Sequence, residues 1–402
     1  MNSKDTHGII ISVFLLVCIG ILMVYSSTVL ISMNKYSNSF HFLLSHIVTV
    51  FVGITTMIIL SRIDYKNLRR PLFHIASFQV SLVHVLLLVA MILLLLVFVP
   101  GIGISAKGAR RWIRLWPTTF QPSEFVKIVM VIFLADYMDK NLHRMKDLRY
   151  GIMIPAGVMV LFQGVIMLQP DFGAVMSIGI LTVGLLILGG LRLRYIGCML
   201  LFAIPVAFKL ATSASYRVKR ITCFTDPWKE PLGCGFQLVQ SFIAFGNGGL
   251  TGLGLGGSKQ KLYFLPEVHT DFIYSLIGEE LGLIGAVFVL ALFFYLFIKG
   301  IKVAGKTNDS FSYFLTLGLT MMIGVQVIIN FAVTTGLMPT KGLPLPFISY
   351  GGSSLLINLA AVGILINISR NNEGRTMENR TYVDSSALRN TYMFNKPQRA
   401  QR

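Results

Sequence analysis

Apolar residues run in long blocks along this chain, and polar ones gather in the gaps between them. Ten blocks approach the roughly 20 residues that a helix needs to cross a bilayer core. They fall near 8–33, 41–61, 79–99, 122–139, 150–169, 172–190, 195–212, 272–298, 311–335 and 348–369. Only Gln169, Pro170 and Asp171 separate the fifth from the sixth, which makes a tight turn. The pattern predicts an all-α polytopic membrane protein of ten transmembrane helices. Residues 1–370 form the membrane domain, 213–271 is a long extracytoplasmic loop between helices 7 and 8, and 371–402 is a polar, basic, disordered tail. The first block is long enough to span and lacks a small-residue cleavage site, so it reads as a retained helix.

Composition agrees. The chain is 54% hydrophobic and 13% charged, where soluble domains carry about 25% charged residues. Folded in water, it would expose large apolar patches. The net charge of +18 would suggest nucleic acid in a soluble protein, but here its distribution gives another cause, and no nucleic-acid partner is expected. With the N-terminus inside, the inner segments hold 21 Lys and Arg and the outer ones 12. That bias puts both termini in the cytoplasm. Ten of the twelve outer charges sit in two loops. Lys107, Arg110, Arg111 and Arg114 surround Trp112 and Trp116, and Arg217, Lys219 and Arg220 follow Tyr216. Two readings stand: headgroup anchoring by Arg/Trp pairs, or capture of an anionic ligand by guanidinium forks.

Of the four cysteines, Cys18 and Cys198 lie in apolar runs, where they pack. Cys223 and Cys234 share the long outer loop, and whether they pair depends on the compartment it faces. The glycines from Gly246 to Gly257 offer a GxGxxG-like match. No strand, helix and ribose-binding acid accompany it, so a dinucleotide site is rejected. They are read instead as letting the backbone bend and lie close to a substrate or the bilayer surface. Gln237 to Ala244 has the pattern of a short amphipathic helix at the interface.

Ionisable groups inside spans are costly and point to function. Glu124 and Lys127 share one face of the fourth helix, as a local ion pair or a cavity wall. Asp171 suits a turn or helix N-cap. Glu279 and Glu280 lie within the eighth span. Gly342 to Ser354 breaks the helical pattern ahead of the tenth, and such backbone at membrane depth is tolerated where it is protein-buried or lines a cavity. Pro266 to Asp271, with His269, stands at the outer mouth of the eighth helix. There Asp271 is either a helix N-cap or a base in reach of solvent and substrate.

Eight stretches together resemble the SEDS family (FtsW, RodA and SpoVE). They are Lys107 to Trp112, Gln121 to Glu124, Gln169 to Asp171, Asp226 to Trp228, Gln240-Ser241, Pro266 to Phe272, Gly278 to Gly282, and Leu345 to Ser354. The Arg110-Arg111-Trp112 element is most similar to the division member of the family. The resemblance implies a peptidoglycan glycosyltransferase that polymerises lipid II at the outer face of the bacterial cytoplasmic membrane. It implies work at the septum beside a class B penicillin-binding protein, a transpeptidase, and other divisome proteins. It also implies Asp271 as the catalytic base and Glu124 and Lys127 as cavity residues. Lys107, Arg111, Trp112, Asp171, Arg217, Arg220, Gln240, Ser241 and Ser353 join them as candidate substrate contacts. No cofactor is identified with certainty, and a divalent cation, Mg or Mn, is compatible with a pyrophosphate leaving group. Two other functions use the same features: a lipid II flippase, and a non-catalytic scaffold that recruits the transpeptidase.

Overall fold

The computed structural model describes residues 4–75, 78–106, 108–115, 118–192, scattered positions between 194 and 212, 215–262 and 264–372. Six helical runs among them are long and apolar enough to cross a membrane. They are α1 (Lys4–Tyr36), α2 (His41–Arg62), Arg149–Leu168, α9 (Ile273–Ala304), α10 (Ser310–Thr334) and α11 (Gly352–Asn372). The run Arg149–Leu168 is a π-turn, Arg149–Met153, that leads into α5 (Ile154–Leu168). Two further apolar helices, α3 (Leu82–Leu96) and α6 (Phe172–Leu188), are shorter. The expected seventh span, 195–212, falls mostly outside the described residues, and the tail beyond Asn372 lies wholly outside them.

The fourth expected span is α4 (Pro122–Asn141). It is buried on nearly every side, from Pro122 to Met138, and packs against α3, α6 and α10. A helix surrounded by protein can carry charges that a lipid-facing one could not. This explains how Glu124, Lys127 and Asp136 are accommodated in it.

The all-α expectation needs one correction. The loop after α3 folds into an antiparallel sheet of β3 (Gly103–Ala106), β4 (Ala109–Leu115) and β5 (Thr118–Phe120), in that order. A second hairpin, β1 (Pro71–Ile75) and β2 (Phe78–Ser81), precedes α3. In β4 the exposed Arg110 and Arg114 follow the buried Ala109 and Ile113, but Arg111 and Trp112 between them are both half-buried and the register shifts there, so the alternation is interrupted. Within so short a loop, the basic residues hide it.

Hydrogen bonds sort the connections into two ends of the bundle. At one end Arg69 pairs with Asp136 and Asp139, Lys299 with Asp5, and Tyr65 with Asn367 and Asp309. At the other end gather the β3–β5 sheet, the 169–171 turn, the long loop and the 336–351 segment. Ties between Arg111 and Gln169, Arg220 and Thr340, and Gln121 and Ser353 connect them. Within the long loop lie α7 (Ser215–Thr225) and α8 (Phe236–Gly248). A disulfide joins Cys223 to Cys234, with Cα atoms 5.9 Å apart.

Helix α9 is broken at Gly282, where φ is +68° and ψ −168°. The glycine-rich loop after α8 repairs the break. Leu253 and Gly254 donate to the Glu279 and Glu280 carbonyls, and Leu283 and Ile284 donate to the Gly249 and Leu250 carbonyls. The glycines permit this approach: a Cβ on Gly252 would sit 2.2 Å from the Glu280 carbonyl oxygen, and one on Gly248 1.9 Å from that of Gly278. These two glycines therefore bring the backbone close to a helix, where closeness to substrate or bilayer was the expectation.

Candidate functional site

A cavity of about 860 Å³ opens at the loop-rich end, within the range of small-molecule sites. Its walls come from several places, with Gln121 ahead of α4 among them. The β3–β4 turn and β4 give Gly108, Arg111 and Trp112, and the α5–α6 turn gives Asp171. The long loop gives Arg220 and Gln237, the turn before α9 gives Glu267, Thr270 and Asp271, and the segment before α11 gives Lys341 and Tyr350. The irregular stretch ahead of the tenth span thus closes a pocket, as its sequence suggests.

Asp271 stands just before α9. The N-cap of that helix is Phe272, one residue beyond Asp271. The turn carrying it is strained. Glu267 has φ +60°, and its carbonyl accepts from the Thr270 and Phe272 amides. Non-glycine residues in this region cost about 1–3 kcal/mol and cluster at functional sites. Two contacts lace the turn to the segment before α11. Tyr350 donates its amide to the His269 carbonyl at 2.9 Å, and Ser349 donates its hydroxyl to the Thr270 carbonyl. Gly342, at φ +66°, leaves room for the carboxylate: a Cβ there would lie 3.3 Å from Asp271 Oδ2.

Three cations face the cavity with Asp271. Arg111 is tethered through its guanidinium to the Gln169 and Pro170 carbonyls. Arg220 reaches the Thr340 carbonyl at 3.3 Å. Lys341 is half-buried, and its one polar contact among the described residues is the Met176 sulfur, 2.7 Å from Nζ. Burial pushes its ammonium down to about 8, because removal from water penalises the charged form. A group so placed favours an anionic ligand.

Other candidates fall elsewhere. Asp171 lines the cavity, but its carboxylate is occupied as the N-cap of α6, accepting from the Ala174 amide, Gln121 and Ser123. Glu124 and Lys127 form a buried ion pair at 2.7 Å, with exposures of 4% and 3%, and do not line the cavity. Lys127 also donates to Gln326 on α10, so the pair lies behind the wall. Ser353 accepts from the Gln121 amide and holds the entry of α4. Ser241 bonds Ser275 and the Thr334 carbonyl and docks α8 onto α9 and α10. That helix rests on protein through this face, where an interfacial position alone was expected. Neither Ser241 nor Gln240 borders the cavity. Lys107 and the Arg217 side chain lie outside the described residues. Glu279 and Glu280 are fully buried. Glu279 accepts from Ser258 and from the amides of Lys259 and Gln260, and Glu280 from Ser26 and Lys261. They pin the glycine-rich loop to α9 and α1.

Lys341, Glu267 and Gln237 border the cavity but were not among the sequence candidates. A signal for Lys341 existed: it is the one charge between Met338 and Asn358. Cys223, Glu230 and Cys234 also offer three potential metal donors within 4.8 Å, but the two sulfurs are spent on each other in the disulfide. Harder oxygen donors, suited to Mg or Mn, are present in the cavity as Asp271 and Glu267.

Comparison with known proteins adds a second line. The profile of a family of cell cycle proteins named for FtsW, RodA and SpoVE matches residues 6–374. A relative from Geobacter metallireducens, "Probable peptidoglycan glycosyltransferase FtsW", is 42% identical over 359 residues, 89% of this chain and 93% of its own. "Stage V sporulation protein E" of Bacillus subtilis is 38% identical over 377 residues, 92% and 99% of the two chains. Among solved structures, a chain from "Structural coordination of polymerization and crosslinking by a peptidoglycan synthase complex" superposes with a TM-score of 0.70 at 28% identity, covering 91% of this chain and 97% of that one. RodA of Thermus thermophilus gives 0.65 at 25% identity, with 91% and 96% covered.

Proposed function

The chain belongs to the FtsW, RodA and SpoVE family and is a peptidoglycan glycosyltransferase; we propose that it polymerises lipid II at the outer membrane face with Asp271 as general base. The observation that carries this reading is that Asp271 shares one cavity with Arg111, Arg220 and Lys341. Glycosyl transfer between lipid-linked sugars makes three demands. The attacking hydroxyl must lose its proton, the departing pyrophosphate must be held, and both lipids must reach one site from the bilayer.

Asp271 takes the proton as the acceptor oxygen attacks the anomeric carbon. The bond to the pyrophosphate oxygen breaks, and the leaving group departs as an anion of low basicity. No general acid is needed, unlike glycoside hydrolysis, where a second carboxyl protonates an alkoxide. Arg111, Arg220 and Lys341 stabilise the charge that develops on the pyrophosphate, and Trp112 offers an apolar face for a sugar or prenyl chain. Lys107 and Arg217 belong to the same basic loops and serve the same anion. Direct displacement inverts the anomeric centre, so an α-linked donor yields a β-linked strand. Asp271 and Glu267 are the oxygen donors that would hold a divalent cation, which would supply positive charge to the leaving group. Glu124, Lys127, Ser241 and Ser353 act from behind the wall by holding the helices that shape it, Asp171 holds the entry of α6 from within the wall, and Gln240 lies on α8 away from the cavity.

The partner in this reading is a class B penicillin-binding protein. Likeness to a chain from a complex described as coordinating polymerization and crosslinking supports it. Likeness to FtsW supports a place at the division septum among other divisome proteins.

The test is polymerisation of labelled lipid II by the purified protein with its transpeptidase. Asp271→Ala should abolish the product while leaving the thermal melt and partner binding unchanged, and full activity in that variant would sink the assignment. Translocation of lipid II in vesicles holding this protein alone, without polymerisation, would favour the flippase reading instead.

A further inference from the structure

A single buried amide joins the two chain segments that bring carboxylate and ammonium to the cavity. Asn330, in the last third of α10, is 1% exposed. Its Nδ2 group donates to the Asp271 carbonyl and to the Leu343 carbonyl, each at 2.8 Å. Leu343 lies two residues beyond Lys341, across Gly342, the glycine that faces Asp271 Oδ2. Both hydrogens of one amide are thus spent on the backbone beside the base and beside the cation. Gln326, four residues earlier on the same face of α10, repeats the device one turn deeper. Its Nε2 donates to the Pro344 carbonyl and to Ser354 Oγ, each at 2.8 Å, and its Oε1 accepts from Lys127.

We propose that Asn330 is a positioning residue for this reaction, setting the separation between the Asp271 carboxylate and the Lys341 ammonium. This rests on the reading of Asp271 as base. Its physical basis is that residues 271 and 343 are in no shared sheet or helix, so no regular backbone pairing fixes their distance. The ties from Tyr350 to His269 and from Ser349 to Thr270 hold the preceding residues, and Asn330 holds residue 271 and the Lys341 segment with one planar group. A reacting group misplaced by about 1 Å can lose on the order of 100-fold in rate.

The test uses the full chain with its transpeptidase, assayed for lipid II polymerisation across a range of substrate concentrations. Asn330→Asp keeps the shape and loses the donors. Asn330→Gln keeps both donors on a longer arm, so it moves the tie without removing it. Both should lower kcat at least tenfold with KM within twofold of wild type, at temperatures below their melting midpoints. Thr334→Val, one turn further along α10, should leave kcat unchanged. Wild-type kcat in both Asn330 variants, or a loss confined to KM, would overturn the proposal. The Asp271→Ala arm separates the two ideas. If it is inactive while the Asn330 variants are normal, only the positioning role fails; if it is fully active, the base assignment itself fails.

Discussion

Lys341 has a chemistry that its neighbours lack. Arginines stay charged at any physiological pH, whereas burial brings this ammonium to about 8. The sign follows directly: below that value the group is cationic and binds an anion, and above it the charge is lost. In the free enzyme, kcat/KM should therefore fall as pH rises from 7 to 9, with the midpoint near 8. Lys341→Arg should keep its charge and hold a flat profile through pH 9. A flat wild-type profile over the same range would remove Lys341 from pyrophosphate binding. Asp271 was singled out through the family resemblance, since an acid ahead of an apolar run suits a helix N-cap equally well. Lys341 and Asn330 were not, for opposite reasons. The first sits among prolines that suggest only a turn, and the second is an uncharged amide inside a span, invisible to a search for ionisable groups.

At the scale of elements, the broken α9 and its glycine loop give a sharper test than any span count. Gly252 and Gly254 both have positive φ, +81° and +88°. A methyl on Gly254 would meet open space, whereas one on Gly252 would strike the Glu280 carbonyl. Gly254→Ala should cost only the backbone term, about 1 kcal/mol. Gly252→Ala should cost clearly more, seen as a larger drop in the melting temperature in detergent. Equal melts would mean that the loop does not lie on the helix. Most helix positions were legible, because apolar blocks of spanning length have one stable solution in lipid. The break at Gly282 was not, since a glycine in a helix-like pattern reads as a tolerated defect. Its backbone partner lies about 30 residues earlier, a relation that no local pattern carries. The β3–β5 sheet escaped notice for a related reason, being too short for its alternation to stand out.

For the whole molecule, orientation is the consequence that matters. The bundle gathers the expected outer loops at one end and the expected inner segments at the other, as alternating spans require. A Cys223–Cys234 disulfide is expected on an oxidising side, which is the side where the lysine and arginine distribution leads one to expect the long loop. A thiol-labelling experiment checks this in a background with Cys18 and Cys198 replaced by serine. Cysteine in place of the exposed Lys229 should react with an impermeant maleimide in intact cells. Cysteine in place of the exposed Lys146 should react only after the membrane is opened. The reverse pattern would invert the protein and put the cavity on the wrong face for lipid-linked substrate.

The interruption of α9 also bears on the order of synthesis. Its exposed amides and carbonyls would each cost several kcal/mol in hydrocarbon without partners. Residues 249–254, which satisfy them, precede residues 279–284 in the chain and so leave the ribosome first. The patch is therefore made before the gap it covers. The broken helix can enter the bilayer already mended, as a unit of loop and helix rather than as a span that waits for repair.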